Sequence, residues 1–175
     1  MKEILLLGVC LLLSGPALGQ SIGEKTGVNS ALGITPTTTD FVNEAATSDM
    51  FEIQSSKLAS DRTQGDIQSF AKQMVTDHTK TTGELQGLAP AANVSPPKQM
   101  TTSQEDMLDK LKGLKGNDFA KQYMDDQVSA HKDAVSLFER YGKGGDNDQL
   151  KSWANQTVPT PQHHLDMAQS VYKNM

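Results

Sequence analysis

Four histidines carry most of the chemical potential of this 175-residue chain: His78, His131, His163 and His164. Imidazole ligates transition metals, exchanges protons near neutral pH and also serves as a polar core group. Carboxylates at Asp49, Glu52 and Asp77 raise the same question, because they sit at helical spacing from apolar residues. A helical wheel at about 100° per residue sorts these groups. Asp49 and Glu52 fall among Phe41, Ala45 and Ile53, whereas Glu44 and Lys57 point elsewhere. His78 takes a seam position between Met74 and Leu85, with Asp77 at its edge. Gln127 and His131 share the face of Phe119 and Phe138. If helical phase survives Pro159 and Pro161, His164 joins Leu150, Trp153, Ala154 and Ala168, and neighbouring His163 faces solvent.

Burying Asp, Glu or His is costly unless the group is paired, hydrogen-bonded or metal-bound. Bundles that hold metals use inward carboxylates and histidines from facing helices. The pattern therefore marks Asp49, Glu52, His78, His131 and His164 as metal-site residues, with Asp77 supporting them from behind. Such a donor set suits zinc, iron, copper or manganese. The favoured reading of these groups needs no metal: Asp49–His78 and Gln127–His131 would form buried polar pairs, the second at i, i+4. The Glu-x-x-His signature of di-iron bundles is absent, because Val75 and Pro161 stand three residues before His78 and His164. Folding the first hairpin near residue 62 brings His78 level with about residue 46, so Asp49 is closer in height than Glu52. Met50, Met74, Met107, Met124 and Met167 are scattered, which fits core filling better than a copper(I) site. No catalytic residue is assigned: there is no nucleophile elbow and no phosphate-cradling loop. The pair Asp125–Asp126 reads as a solvated helix face.

These groups need helices to position them, and the chain supplies little else. "MKEILLLGVCLLLSGPALGQ" reads as a signal peptide, with an apolar run from Ile4 to Leu13 and cleavage between Gly19 and Gln20. A lipidated Cys10 is the weaker reading, since Val9 stands where a small residue is expected. Cleavage removes the only cysteine, and with it thiol chemistry and disulfides, and leaves the net charge at −5. No basic patch is present, which argues against nucleic acid as a partner. No later stretch is apolar enough to span a bilayer. The expected location is periplasmic or secreted.

Residues 20–38 lack periodicity and read as a flexible leader; residues 39–173 form the domain. The first helix is expected from Thr39 or Asp40, and the second after "DRTQGD", where Thr63 and Asp66 have capping-box spacing. A Pro-rich connection over 89–102 leads to a short helix capped by Ser103. A third long helix spans about Asp118 to Tyr141. The last begins near Asn147 or Asp148, breaks at the prolines and restarts with Thr160 as cap and Pro161 first. "IQSFAKQMV" (67–75) is echoed by "LKSWANQTV" (150–158), which suggests two related hairpins. The predicted fold is all-α: an antiparallel four-helix bundle with a short extra helix before the third long one.

Four stretches carry a wider likeness: "DFVNEAATSDMFEIQSSKLA", "IQSFAKQMVTDH", "DFAKQYMDDQVSAHKDAVSLF" and "VPTPQHHLDMA". Together they resemble a bacterial exported family, domain of unknown function 4142, which looks like part of the ferritin-like superfamily. The likeness covers about residues 40 to 172. It implies a ferritin-like four-helix bundle and export, and its signature positions correspond to Glu52, Asp77, His78, His131 and His164. It carries no established activity. The functional expectation is a non-enzymatic envelope protein linked to stress or metal handling. The alternatives are a metal-dependent, ferroxidase-like oxidase and a purely structural or interaction module, for which a homo-oligomer would be compatible.

Overall fold

The computed structural model describes residues 28–175; the expected signal peptide, its expected cleavage point and Cys10 lie outside the described residues. Among the described residues six helices make the bundle: α1 (Thr38–Arg62), α2 (Gly65–Leu88), α3 (Thr102–Gly113), α4 (Gly116–Gly144), α5 (Asp148–Thr157) and α6 (Pro159–Lys173). A helical turn at Val28–Ala31 precedes them, and a 3-10 turn at Ala89–Ala92 extends α2. The described residues contain no strand. The two-residue link after Arg62 folds α1 and α2 into an antiparallel hairpin, and α4 turns back along α5 and α6. Cross-contacts of α1 with α4 and of α2 with α6 close the four-helix bundle. Among the described residues no helix is long and apolar enough to cross a membrane.

Helix starts differ from expectation by one or two residues, each for a local reason. Thr37, rather than Thr39 or Asp40, caps α1, its hydroxyl accepting from the Asp40 N–H. Thr63 belongs to the end of α1: its hydroxyl donates to the Ala59 carbonyl at 2.7 Å instead of capping α2. The turn then depends on Gly65, whose φ of 65° favours glycine. Thr101 caps α3 in place of Ser103, in a capping box closed by Gln104. Gly116 opens α4 two residues before the expected Asp118. Asn147 caps α5 as expected, accepting from the Leu150 N–H. The restart falls at Pro159 rather than at Thr160, because Val158 keeps helical dihedrals and its carbonyl accepts from the Gln162 N–H.

Two apolar clusters fill the bundle. One gathers Phe41, Val42, Leu85, Phe138, Tyr141 and Leu150, with Phe41 stacked on Tyr141 at 4.0 Å between ring centroids. The other gathers Phe51, Phe70, Met74, Leu111, Phe119 and Tyr123. Ile53, expected to point inward, is only half-buried, and Phe51 takes the core position. The end of the expected leader is fastened to the bundle: Ser30 hydrogen-bonds Ser136, and Arg140 donates to the Ile34 carbonyl. Between the two apolar clusters lies a polar layer that contains every predicted site residue.

Candidate metal centre

Each long element sends a polar side chain into that layer. From α1 come Asp49 and Glu52, from α2 His78, from α4 Gln127 and His131, and from α6 His164; all are buried. Asp77 stands at the margin, half-buried, and His163 is exposed. The wheel thus sorts the adjacent histidines correctly even though the helix restarts two residues before Pro161.

Hydrogen bonds fix how the rings face. The Asp49 carboxylate accepts from His78 Nδ1 at 2.8 Å, and the Gln127 carbonyl accepts from His131 Nδ1 at 2.8 Å. Both rings therefore turn Nε2 inward, and these two atoms stand 3.4 Å apart. Two neutral imidazoles held this way would oppose lone pair to lone pair, so a proton or a metal cation must lie between them. His164 donates from Nε2 to Asp77 at 2.9 Å, which leaves its buried Nδ1 with no partner. One nitrogen from each of His78, His131 and His164 lies within 4.8 Å of the other two.

This arrangement fits a transition metal. A tetrahedral ion with metal–nitrogen bonds of about 2.0–2.1 Å holds its ligand nitrogens roughly 3.4 Å apart. The His78–His131 pair already has that separation. Each ring is also anchored through its second nitrogen or carried by a carboxylate, the outer-shell pattern typical of metal-binding histidines. Glu52 is buried in the same layer, where its charge acts on His78 and the Gln127 side chain acts on it.

Electrostatics separate the three rings. Burial works against the charged form of His78, but the Asp49 hydrogen bond and charge outweigh it and raise its pKa. His131 is pushed down to about 3 by burial and by the neighbouring His78. His164 is also lowered, burial prevailing over its bond to Asp77. Without a metal, the proton between the two Nε2 atoms therefore belongs to His78, and His131 accepts it. Burial raises Glu52 to about 7 despite the nearby His78. Asp77 is lowered: burial opposes this, but hydrogen bonds from Gln73 and His164 prevail.

Several expectations need correcting. Asp126 is buried rather than solvated; its Oδ1 accepts from Gln122, its Oδ2 has no partner, and burial raises its pKa. Gln127 serves His131 through its backbone carbonyl, while its side-chain amide acts on Glu52. Asp49, grouped above with the ligands, acts as an anchor: besides His78 it accepts from Thr81 and Thr82, each at 2.9 Å. Those threonines were missed, although their spacing three and four residues after His78 places them on the same side of α2. Asp49→Asn keeps the shape but weakens the acceptor set by the ring and turns an amide toward some of the donors. We expect metal affinity to fall about 10- to 100-fold, measured by competition with a chromophoric chelator. An unchanged affinity would show that Asp49 does not orient His78.

A solved structure described as "CopM in the Cu(II)-bound form" shares the fold, with a TM-score of 0.63 over 80% of this chain and 98% of that one, at 14% sequence identity. No curated protein matches significantly. The family model for a domain of unknown function, DUF4142, matches residues 23–171. The continuous bundle with its polar layer is thus the body of that matched region, and the chain belongs to the DUF4142 family.

Proposed function

We propose that this chain is an exported, non-enzymatic protein that binds one transition-metal ion at His78, His131 and His164, with Glu52 as a further oxygen donor. The observation that carries the reading is the pair of inward Nε2 atoms at 3.4 Å, joined by a third imidazole with a partnerless nitrogen. Imidazole donors suit copper and zinc, and at a given nitrogen site copper(II) binds most tightly among the divalent first-row ions. The fold is similar to that of a protein described in a Cu(II)-bound form, which makes copper(II) the first ion to test. Export is supported by the apolar run Ile4–Leu13 followed by "ALG".

The oxidase alternative is less well supported. Di-iron bundles rest on several bridging carboxylates, whereas this layer groups three imidazoles, with the Glu52 carboxylate buried beside them. A purely structural polar core remains the rival, with the His78 proton doing what the metal would do. Elemental analysis of protein loaded separately with copper(II), zinc, iron(II) or manganese(II) tests the reading. One equivalent of copper or zinc retained through gel filtration is expected. No retained metal, together with a melting temperature that ignores all four ions, would leave the structural reading standing.

A further inference from the structure

The three-histidine layer is buried, so an ion needs a way in. Two hollows meet at it. The inner one, so called because it touches Asp49 and His78, is about 390 Å³, passes Asp126 toward Ser103 and Met107 of α3, and itself meets solvent at exposed Ser103, Ser129 and Asp133. The outer one, of about 530 Å³, opens between α2 and the α5–α6 arm and is lined by Glu84, Trp153, Pro159 and His163. Asp77, Thr81, Thr157, Thr160 and His164 line both. The Asp77–His164 hydrogen bond, at 2.9 Å, therefore stands where the outer cleft meets the inner cavity.

We propose that the outer cleft is the inlet for the metal cation, with the exposed His163 imidazole and the Asp77 carboxylate as its first contacts. This inference rests on the metal reading of the inner layer. Three observations carry it. First, the outer cleft presents metal-ligating groups in sequence from solvent inward: exposed His163, half-buried Asp77, buried His164. Adjacent residues on a helix point apart, and the His163 and His164 rings lie 6.5 Å between centroids, so the two act in succession rather than as one site. Second, the rim carries a carboxylate in place: Glu84 accepts from the Trp153 indole at 2.9 Å and pairs with Lys80 of the same rim at 3.8 Å. Third, the ring reached from this side, His164, is the one whose Nδ1 has no partner. An ion that engages Asp77 competes for the carboxylate holding His164, and so loosens the group that next receives it.

The chain's single tryptophan, Trp153, lines the inlet and supplies the readout. Copper(II) quenches indole fluorescence, so stopped-flow mixing of the purified full chain with copper(II) follows arrival at the cleft. In wild-type protein a fast quench should precede loading of the inner layer. His163→Ala removes an exposed side chain and should leave the final copper stoichiometry unchanged while slowing the quench measurably, because a first ligand at the mouth is lost. His78→Ala with His131→Ala should keep the fast quench and lose retained copper. Ser103→Tyr, at the α3 end of the inner cavity, should load at the wild-type rate. Loading of His163→Ala at the wild-type rate, slower loading of Ser103→Tyr, or retained copper without any Trp153 quench would overturn the inlet and leave the inner site standing. Failure of the wild-type chain to retain copper would overturn both.

Discussion

Exchanging both His78 and His131 for Ala is expected to abolish the stabilisation that copper(II) or zinc gives the wild-type chain. A ligand present at a hundred times its dissociation constant stabilises the folded state by about 2.7 kcal/mol. For a domain of this size that corresponds to a rise in melting temperature of roughly 5–10 °C. The double variant loses the two nitrogens already at ligand separation and leaves only His164 and Glu52 of the proposed donors, because Asp49 is held by Thr81 and Thr82. Its metal-free melting curve must be recorded alongside, since emptying two buried ring positions lowers stability by itself. A cooperative metal-free transition with no response to metal is the expected pair of results. A full wild-type response in the double variant would move the binding site elsewhere in the chain.

The second large effect is a change in how stability depends on pH, measured on chelator-treated protein. Burial raises Glu52 to about 7 from 4.5, so this group contributes stability that is fully present below pH 4.5 and lost as pH rises through about 7. Over that interval the loss is about 3 kcal/mol. His131 runs the other way: lowered from 6.5 to about 3, it contributes stability present above pH 6.5 and lost as pH falls toward 3. Between pH 4.5 and 6.5 the two slopes oppose each other. Glu52→Gln keeps the shape and stays neutral, so its stability should climb across that window and exceed wild type by about 3 kcal/mol at pH 8. Urea titrations at pH 4.5, 5.5, 6.5 and 8 measure this. Parallel curves for the two proteins would show that Glu52 keeps an ordinary carboxylate pKa.

The helical period and the height of the first hairpin were enough to place Asp49 against His78, and the wheel was enough to separate His164 from His163. These readings succeeded because they depend on phase along continuous helices. Asp126 escaped for a related reason. The wheel assumed one buried arc on α4, but α1, α3 and α6 all pack on that helix, and Lys110 of α3 acts on the Asp126 carboxylate. A wider buried arc takes in the neighbour of Gln127. The caps were misjudged where several hydroxyl residues crowd a junction, as in "TPTTTD" and "MTTSQ"; propensity cannot choose among them, and the backbone entering the helix does. The convergence of three rings from α2, α4 and α6 depends on tertiary packing, which no single-helix pattern contains.

The prolines at the start of α6 have a mechanical consequence. His78 and His131 are carried mid-way along long unbroken helices. His164 is carried by a helix joined to α5 through Val158, with Pro159 and Pro161 supplying no N–H to the carbonyls of Asn155 and Thr157. The three nitrogens span up to 4.8 Å, about 1.4 Å more than a tetrahedral ion allows between its ligands. Were an ion to bind, the contraction would be borne most easily where α6 starts, because two backbone hydrogen bonds are missing from the helix there.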